Sequence, residues 1–309
     1  MLPLDQDLPA PLVDLFDESL TKLSIEDLRI KCREYRKLAK VTLQQVQKIE
    51  KATRNQSECE LWNLFRAGRQ NASKTYAICH TSLENPSITI IKEVCYPFEP
   101  KVQTFWMRRG KDLESTTMKY YIAEMKRRGH INLKVYLSGY VISLETPWIG
   151  GSPDAVIICD CCGKGLVEGK ALKTVNSDVD VVPPKFSYRI QTQLYCVGPM
   201  YSYCDYVVYH PDHVNKVTIK RVVHDVVLQE EIVEKCSDFF TDVVLPELFA
   251  MKSISDANSN LICYCGKSKA DPIIRCKGEN CMFVEFHVSC MNLTRTRKNW
   301  YRPQCDPKK

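Results

Sequence analysis

The sequence predicts an α/β fold, a mixed β-sheet core flanked by helices, with a small cysteine-rich module behind it. Helical patterns, a group of strand-like runs, a helix, two more strands and a closing helix follow one another between residues 24 and 251. That order suits a mixed sheet covered by helices. The stretch GGSPDAVIICDCCGKGLVEGK at 150–170 reads as two short strands joined by a Cys-Cys-Gly-Lys turn. After a polar linker, SISDANSN at 253–260, six of the sixteen cysteines crowd between Cys263 and Cys305.

A chain of 309 residues, 44% hydrophobic and 26% charged, has room for one main domain with a sizeable core and a small second module. No apolar run approaches the length of a membrane span. The acidic start MLPLDQDLPAPLVDLFDE lacks the basic end and apolar centre of a signal peptide. The expectation is an intracellular protein with mostly reduced cysteines. The net charge of +6 resides entirely in residues 263–309, and the rest of the chain is balanced.

Residues 1–22 combine prolines with scattered acids and read as a loosely held lead-in. Ser24 caps a helix running to about residue 40, Asp27 closes the capping box, and Leu28, Cys32 and Tyr35 recur at helical spacing. A second helix covers 42–53. Asn85-Pro86-Ser87 opens a short helical stretch toward Val94, and a loop to about residue 104 leads into one long helix at 105–128, with Gly110 as a point of interruption. Glu114, Met118, Tyr121 and Met125 share one face of it, so Glu114 is a carboxylate set on an apolar stripe. Residues 132–144 are strand-like and lead through Pro147-Trp148 into the hairpin, whose strands are 155–159 and 165–170. A helix at 186–197 carries Gln191-Thr192-Gln193, strands at 203–209 and 217–223 follow, and a helix at 225–251 closes the domain.

The hairpin carries the chemistry. Side chains alternate along a strand, so Glu168 and Lys170 point to one face, and the hairpin brings Asp154 beside Glu168. Two carboxylates and an ammonium then converge, and a cation must relieve the repulsion between the acids. Oxygen ligands of this kind suit Mg²⁺ or Mn²⁺. The glycines from Gly163 to Gly169-Lys170 miss a phosphate-binding P-loop, because five residues separate them and Ala171 follows the lysine. A nucleotide triphosphatase is not indicated. Cys159, Cys161 and Cys162 have a metal-like spacing, but with no second ligand pair nearby they read as decoration of the turn.

Ser152-Pro153-Asp154 followed by Glu168-Gly169-Lys170 resembles the PD-(D/E)xK nuclease superfamily, and more narrowly the YqaJ-like viral recombinases and lambda-type phage exonucleases. The resemblance covers most of residues 58–250 and implies a restriction-endonuclease-like core. It implies that Asp154, Glu168 and the carbonyl of Gly169 hold one Mg²⁺ or Mn²⁺, with Glu114, after Arg108-Arg109-Gly110, completing the acids. Lys170 would orient or deprotonate the attacking water. Trp62, Arg66 and Ser73 match the family's tryptophan, arginine and serine in order, implying that Arg66 and Ser73 form a pocket for the 5′ phosphate of a DNA end. A Q-x-Q on the family's helix makes Gln193 the better candidate for an active-site contact and Gln191 the weaker. Gly169 stands where relatives carry an apolar anchoring residue, and Ala171-Leu172 replaces their usual cysteine and proline.

In the cysteine module the spacing is Cys263-x-Cys265, Cys276-x4-Cys281, His287-x2-Cys290 and Cys305. Thiolates and an imidazole so placed bind tetrahedral Zn²⁺, which compensates for a core too small to fold alone. Phe286-His287-x2-Cys290 with Trp300-Tyr301 resembles a PHD finger. That resemblance implies one zinc on Cys263, Cys265, His287 and Cys290, and a second on Cys276, Cys281 and Cys305. Arg302 occupies the position of the missing ligand, and a guanidinium cannot replace a thiolate. Glu285 and Ala270 stand where histone-reading fingers often place aromatics, and the module is basic, so a structural role or DNA contact through Arg295, Arg297 and Lys298 is favoured over methyl-lysine reading.

The expected organisation is a lead-in and helical segment at 1–57, a nuclease domain at 58–252, a linker at 253–260 and a PHD-like zinc finger at 261–309. The expected activity is Mg²⁺-dependent hydrolysis of DNA from duplex ends, 5′ to 3′, in a recombination or mobile-element setting in the nucleus. DNA is the expected partner, with chromatin contact through the finger and no membrane. The phage relatives point to a homo-oligomer. The alternative is a weakly active or inactive DNA or chromatin adaptor, and a structure-specific endonuclease is a third reading.

Overall fold

In the computed structural model of the protein, residues 7–98, 105–171, 181–211, 216–253, 272–277, 285–291, 293, 295–296 and 298–301 are described, without the side chains of residues 105–107, 111 and 290. Ser24 accepts a hydrogen bond from the Asp27 N–H at 3.1 Å and opens α1 (Ile25–Leu38). Thr42 and Gln45 form a reciprocal capping box that opens α2 (Leu43–Ala52). Such caps satisfy amides left open at a helix start. α3 (Glu60–Arg66), β1 (Gln70–Asn71), α4 (Thr75–Cys79) and α5 (Ile88–Cys95) follow, and then the long α6 (Phe105–Arg127). Gly110 does not interrupt α6; the helix runs through it. The loop expected up to residue 104 lies partly outside the described residues.

The strand expected at 132–144 is split, into β2 (Lys134–Leu137) and β3 (Val141–Ile142). The two enter different sheets. β4 (Ile149–Gly151) pairs parallel with β1 and antiparallel with β3. The central sheet runs β2-β5-β6-β7-β8, with β5 (Ala155–Cys159), β6 (Gly163–Ala171), β7 (Tyr203–Tyr209) and β8 (Val217–Val223). β6 and β7 are parallel, joined across α7 (Pro184–Val197), and the other pairs are antiparallel.

What splits the strand is Gly139. Its N–H donates to Glu50 Oε1 at 3.1 Å, the Tyr140 N–H donates to Thr53 Oγ1 at 2.7 Å, and a Cβ on Gly139 would lie 1.8 Å from the Glu50 carbonyl oxygen. The end of α2 therefore presses on the backbone at this bend. Gly139→Ala is expected to cost about 3 kcal/mol or more through this overlap, read as a lowered midpoint in denaturant unfolding.

The sheet's faces are divided by strand alternation. Val167, Tyr203 and Val207 pack with Tyr121 and Met125 of α6, while Leu166, Cys204, Tyr206 and Val208 pack with Ile190 and Leu194 of α7. A buried polar link also ties α6 to the sheet. The fully buried Asp205 accepts from Tyr121 Oη at 2.8 Å and from Arg221 Nε and Nη2 at 2.9 and 3.1 Å.

The lead-in, expected to be loosely held, is packed where it is described. Leu12 joins Phe239, Phe240, Leu245 and Leu248 in one core cluster, with Leu15 and Leu20 packed against it, and the Asp17 N–H donates to the Phe249 carbonyl at 3.0 Å. Asp14, Asp17 and Glu18 are exposed there, and Pro11 and Leu12 are the buried anchors. The closing segment, expected as one helix, is α8 (Val226–Phe239), a π turn at Phe240–Val244 and α9 (Leu245–Ala250). Linker residues 254–260 lie outside the described residues. In the cysteine module β9 (Ile273–Arg275) pairs antiparallel with β10 (Glu285–His287) over Ile274, Cys276, Phe286, Val288 and Trp300.

Candidate active site

Asp154 stands one residue before β5, where its N–H donates to the Val167 carbonyl at 3.1 Å and closes the hairpin register. Its Oδ2 accepts the Gly169 N–H at 2.7 Å. On β6, Glu168 is fully buried on the α7 face. Lys170, two residues on, reaches back to Glu168 Oε1 at 2.5 Å and donates to the Gly169 carbonyl at 2.8 Å. α7 supplies two more groups one turn apart. Arg189 pairs with Glu168 Oε1, and Gln193 Nε2 donates to Glu168 Oε2 at 2.9 Å and to the Ser152 carbonyl at 3.2 Å.

Both Gln193 contacts use its amide nitrogen and both partners are acceptors, which fixes the amide orientation. Gln193 Oε1 is left buried without a hydrogen-bond partner. An unsatisfied buried acceptor costs stability and invites a ligand or water. Gly169 lets the site close from the α6 side, since a Cβ there would meet Thr117 Cγ2 at 3.2 Å and Asp154 Oδ2 at 3.6 Å. Thr117 takes up the space that an apolar side chain at 169 would fill.

The two carboxylates respond oppositely to one environment. Burial, followed by the Glu168 charge, pushes the Asp154 acid up to about 6 against the pull of Lys170 and Arg189. Burial also works to raise Glu168, but Arg189 and Lys170 outweigh it and bring that acid down to about 2. Arg189 is itself held protonated: burial works against the charge, and the carboxylates of Glu168, Asp154 and Glu114 overcome it.

The remaining expected residues separate into near and far. Glu114 is exposed on α6, close enough for its charge to act on Arg189. Arg66 lies over the Trp62 ring at 3.6 Å, donates to Asn71 Oδ1 at 3.3 Å, and is lowered to about 10 by burial, with the Arg189 charge acting in the same direction. Trp62 Nε1 donates to Ser152 Oγ at 2.9 Å, which ties α3 to the turn before Asp154. Ser73 is exposed in the turn ahead of α4. Gln191 faces away from the carboxylates: it donates to the Val223 carbonyl at 2.7 Å and accepts the Asp225 N–H at 3.0 Å, fastening α7 to the end of β8. Arg189 is the residue that sequence reasoning missed. Its signal was its position one helical turn before Gln193, on the same face.

Of the expected zinc ligands, Cys263, Cys265, Cys281 and Cys305 lie outside the described residues, as do Arg302 and the side chain of Cys290. Cys276 is buried at the end of β9 and His287 is 1% exposed on β10. No helix among the described residues is long and apolar enough to cross a membrane.

Comparison with known proteins agrees with this architecture. Residues 61–199 match the YqaJ-like viral recombinase domain, and that span contains Arg66, Asp154, Glu168, Lys170, Arg189 and Gln193. The fold is similar to that of LHK-Exo in complex with dAMP, at 22% identity and a TM-score of 0.50 over 61% of this chain and 94% of that one. A second LHK-Exo structure, described as an alkaline exonuclease from Laribacter hongkongensis, aligns over the same shares at a TM-score of 0.48. A separate likeness is to the chromatin modification-related protein YNG2 of Debaryomyces hansenii, 39% identical over 56 residues, and of Candida glabrata, 38% identical over 61 residues. The chain spans about a fifth of the length of these relatives, 20% and 22%. Over residues 61–199, then, the chain is similar to the YqaJ-like viral recombinase domain, and its mixed sheet flanked by helices is the fold seen in LHK-Exo.

Proposed function

We propose that this protein is a divalent-metal-dependent DNA nuclease that hydrolyses duplex DNA from its ends, 5′ to 3′, with a PHD-like zinc finger that contacts DNA or chromatin in the nucleus. The observation that carries the reading is the convergence of Asp154, Glu168, Lys170 and Gln193 around the mouth of one hairpin, crossed by Arg189. The complex of the similar LHK-Exo with dAMP supports a nucleotide-releasing activity. The likeness to YNG2 supports the chromatin and nuclear part.

The residues fit a hard divalent cation. Asp154 is an acid whose charge burial and Glu168 both disfavour, its Oδ2 is bonded to the Gly169 N–H, Gln193 Oε1 is a buried oxygen with no hydrogen-bond partner, and carboxylate, backbone carbonyl and amide oxygens are all ligand types of Mg²⁺ or Mn²⁺. When bound, the ion lowers the pKa of a water molecule and stabilises charge on the phosphate. Lys170, held by Glu168 and the Gly169 carbonyl, orients that water as an ammonium or, once deprotonated to the amine, takes its proton. Arg189 keeps Glu168 ionised and offers a guanidinium to the phosphate backbone, where planar donors suit phosphate oxygens. Glu114, at the exposed rim, assists the metal acids, directly or through water. Hydrolysis leaves a 3′ hydroxyl and a 5′ phosphate.

Arg66, stacked on Trp62 and largely desolvated, binds the terminal 5′ phosphate with help from Ser73. In a nucleotide-release assay with Mg²⁺ or Mn²⁺, a linear 5′-phosphorylated duplex is expected to be degraded about 10–100-fold faster than the dephosphorylated duplex, the worth of charge-assisted hydrogen bonds. Arg66→Ala is expected to remove that difference. Cutting of a covalently closed circle would instead establish an endonuclease. A folded wild type that binds DNA equally well in EDTA and releases nothing with either metal would establish the adaptor reading.

A further inference from the structure

The structure assigns a further metal site, a Cys₃His zinc clip made by His130, Cys159, Cys161 and Cys162 at the tip of the β5–β6 hairpin. One ligand atom from each residue lies within 4.8 Å of all the others. The sulfurs of Cys159 and Cys161 are 3.6 Å apart, and those of Cys161 and Cys162 are 3.7 Å apart. His130 Nδ1 lies 3.1, 3.8 and 3.6 Å from the sulfurs of Cys161, Cys159 and Cys162. For zinc, bond lengths of about 2.3 Å to sulfur and about 2.0–2.1 Å to nitrogen give tetrahedral edges of about 3.8 Å between sulfurs and about 3.6 Å from nitrogen to sulfur. The four atoms already approximate the corners of that tetrahedron. None of the three cysteines is in a disulfide.

The backbone on both sides is shaped to hold this arrangement. α6 ends in a Schellman motif: Gly129 has φ +84°, its N–H donates to the Lys126 carbonyl at 3.0 Å, and the His130 N–H donates to the Met125 carbonyl at 3.2 Å. His130 is thereby turned toward the hairpin. Opposite it, Cys159 pairs with Gly163, which has φ +71°, so the tight turn displays Cys161 and Cys162 together. The Asp160 N–H donates to the Ile131 carbonyl at 3.1 Å, and Asn132 Nδ2 donates to Asp160 Oδ2 at 2.6 Å, which docks the two segments. Arg221, already paired with Asp205, donates from Nη1 to Cys162 Sγ at 3.3 Å. Three thiolates on one Zn²⁺ leave a negative centre, and this guanidinium is the outer partner such a centre requires.

Four protein ligands close the coordination, which makes the site structural. It lies at the opposite end of β5 from Asp154, about 17 Å along the strand. The clip fastens the C-terminal end of α6, which carries Glu114 and Thr117, to the hairpin that carries Asp154, Glu168 and Lys170. The turn cysteines read as decoration only because their fourth ligand lies 29 residues before Cys159.

The test is zinc per chain, by elemental analysis of the full chain purified under reducing conditions and dialysed free of loose metal. Cys161→Ser/Cys162→Ser is expected to hold one zinc fewer than wild type at unchanged far-UV circular dichroism. Cys276→Ser, in the separate cysteine module, is expected to leave the cobalt-substituted, thiolate-rich spectrum of the hairpin site in place. Should the double variant fail to fold, the half-buried loop residue His130 decides: His130→Ala loses the same one zinc and His130→Cys, which restores four ligands, retains it. Equal zinc content in wild type, the folded double variant and His130→Ala would overturn the assignment.

Discussion

Lys170→Ala is expected to slow nucleotide release from a linear duplex by about 10²–10⁴-fold, the range of a positioned proton-transfer group, with duplex affinity changed far less. Lys170 reaches Glu168 at 2.5 Å and the Gly169 carbonyl at 2.8 Å, so its ammonium is fixed between two site oxygens. In the alanine variant Arg189 still pairs the buried Glu168, so the loss is read in the rate of the folded protein. Asp154→Asn is expected to lose activity to a similar extent, since the amide retains an acceptor for the Gly169 N–H but lacks the negative charge that a cation needs. Gel-based digestion with Mg²⁺ and a separate DNA-binding titration check both. Wild-type rates in either variant would remove these residues from the chemistry.

The same Asp154→Asn change is expected to stabilise the protein in EDTA. Burial and the Glu168 charge raise the Asp154 acid from 3.8 to about 6. In that window the folded protein binds a proton that the unfolded chain has released, so stability falls as pH rises from about 4 to about 6 and the full cost persists above it. An amide carries no such cost, so the variant is expected to unfold about 1–3 kcal/mol later than wild type at pH 8 without metal. Added Mg²⁺ is expected to raise the melting temperature of wild type and leave that of the variant unchanged. Glu168 has the opposite sign. Its acid is lowered from 4.5 to about 2, so its contribution is present above pH 4.5 and is lost as pH falls through 2. Glu168→Gln is accordingly expected to destabilise, because Arg189 and Lys170 lose a buried partner. A metal-free Asp154→Asn that melts below wild type would mean that Asp154 serves chiefly as the acceptor that holds Gly169.

The chain by itself determined what depends on near neighbours. Runs of β-branched and aromatic residues located β5, β7 and β8, the cap at Ser24 located α1, and the apolar stripe through Tyr121 and Met125 placed α6. The spacing of Asp154, Glu168 and Lys170 sufficed to bring them together, because a hairpin fixes its register within a few residues. Where distant segments meet, only the tertiary structure decided. Glu50 and Thr53 split the strand expected at 132–144 by contacts from α2. The proline-rich lead-in is held by Phe239, Phe240 and Leu248, more than two hundred residues away. Arg189 and Asp205 acquire their roles from partners on other elements, Glu168 for one and Tyr121 with Arg221 for the other. His130 meets the turn cysteines only after α6 has packed on the sheet. Local spacing encodes contacts that a strand or helix repeats every few residues; contacts closed by packing depend on the sum of the core, which no short pattern records.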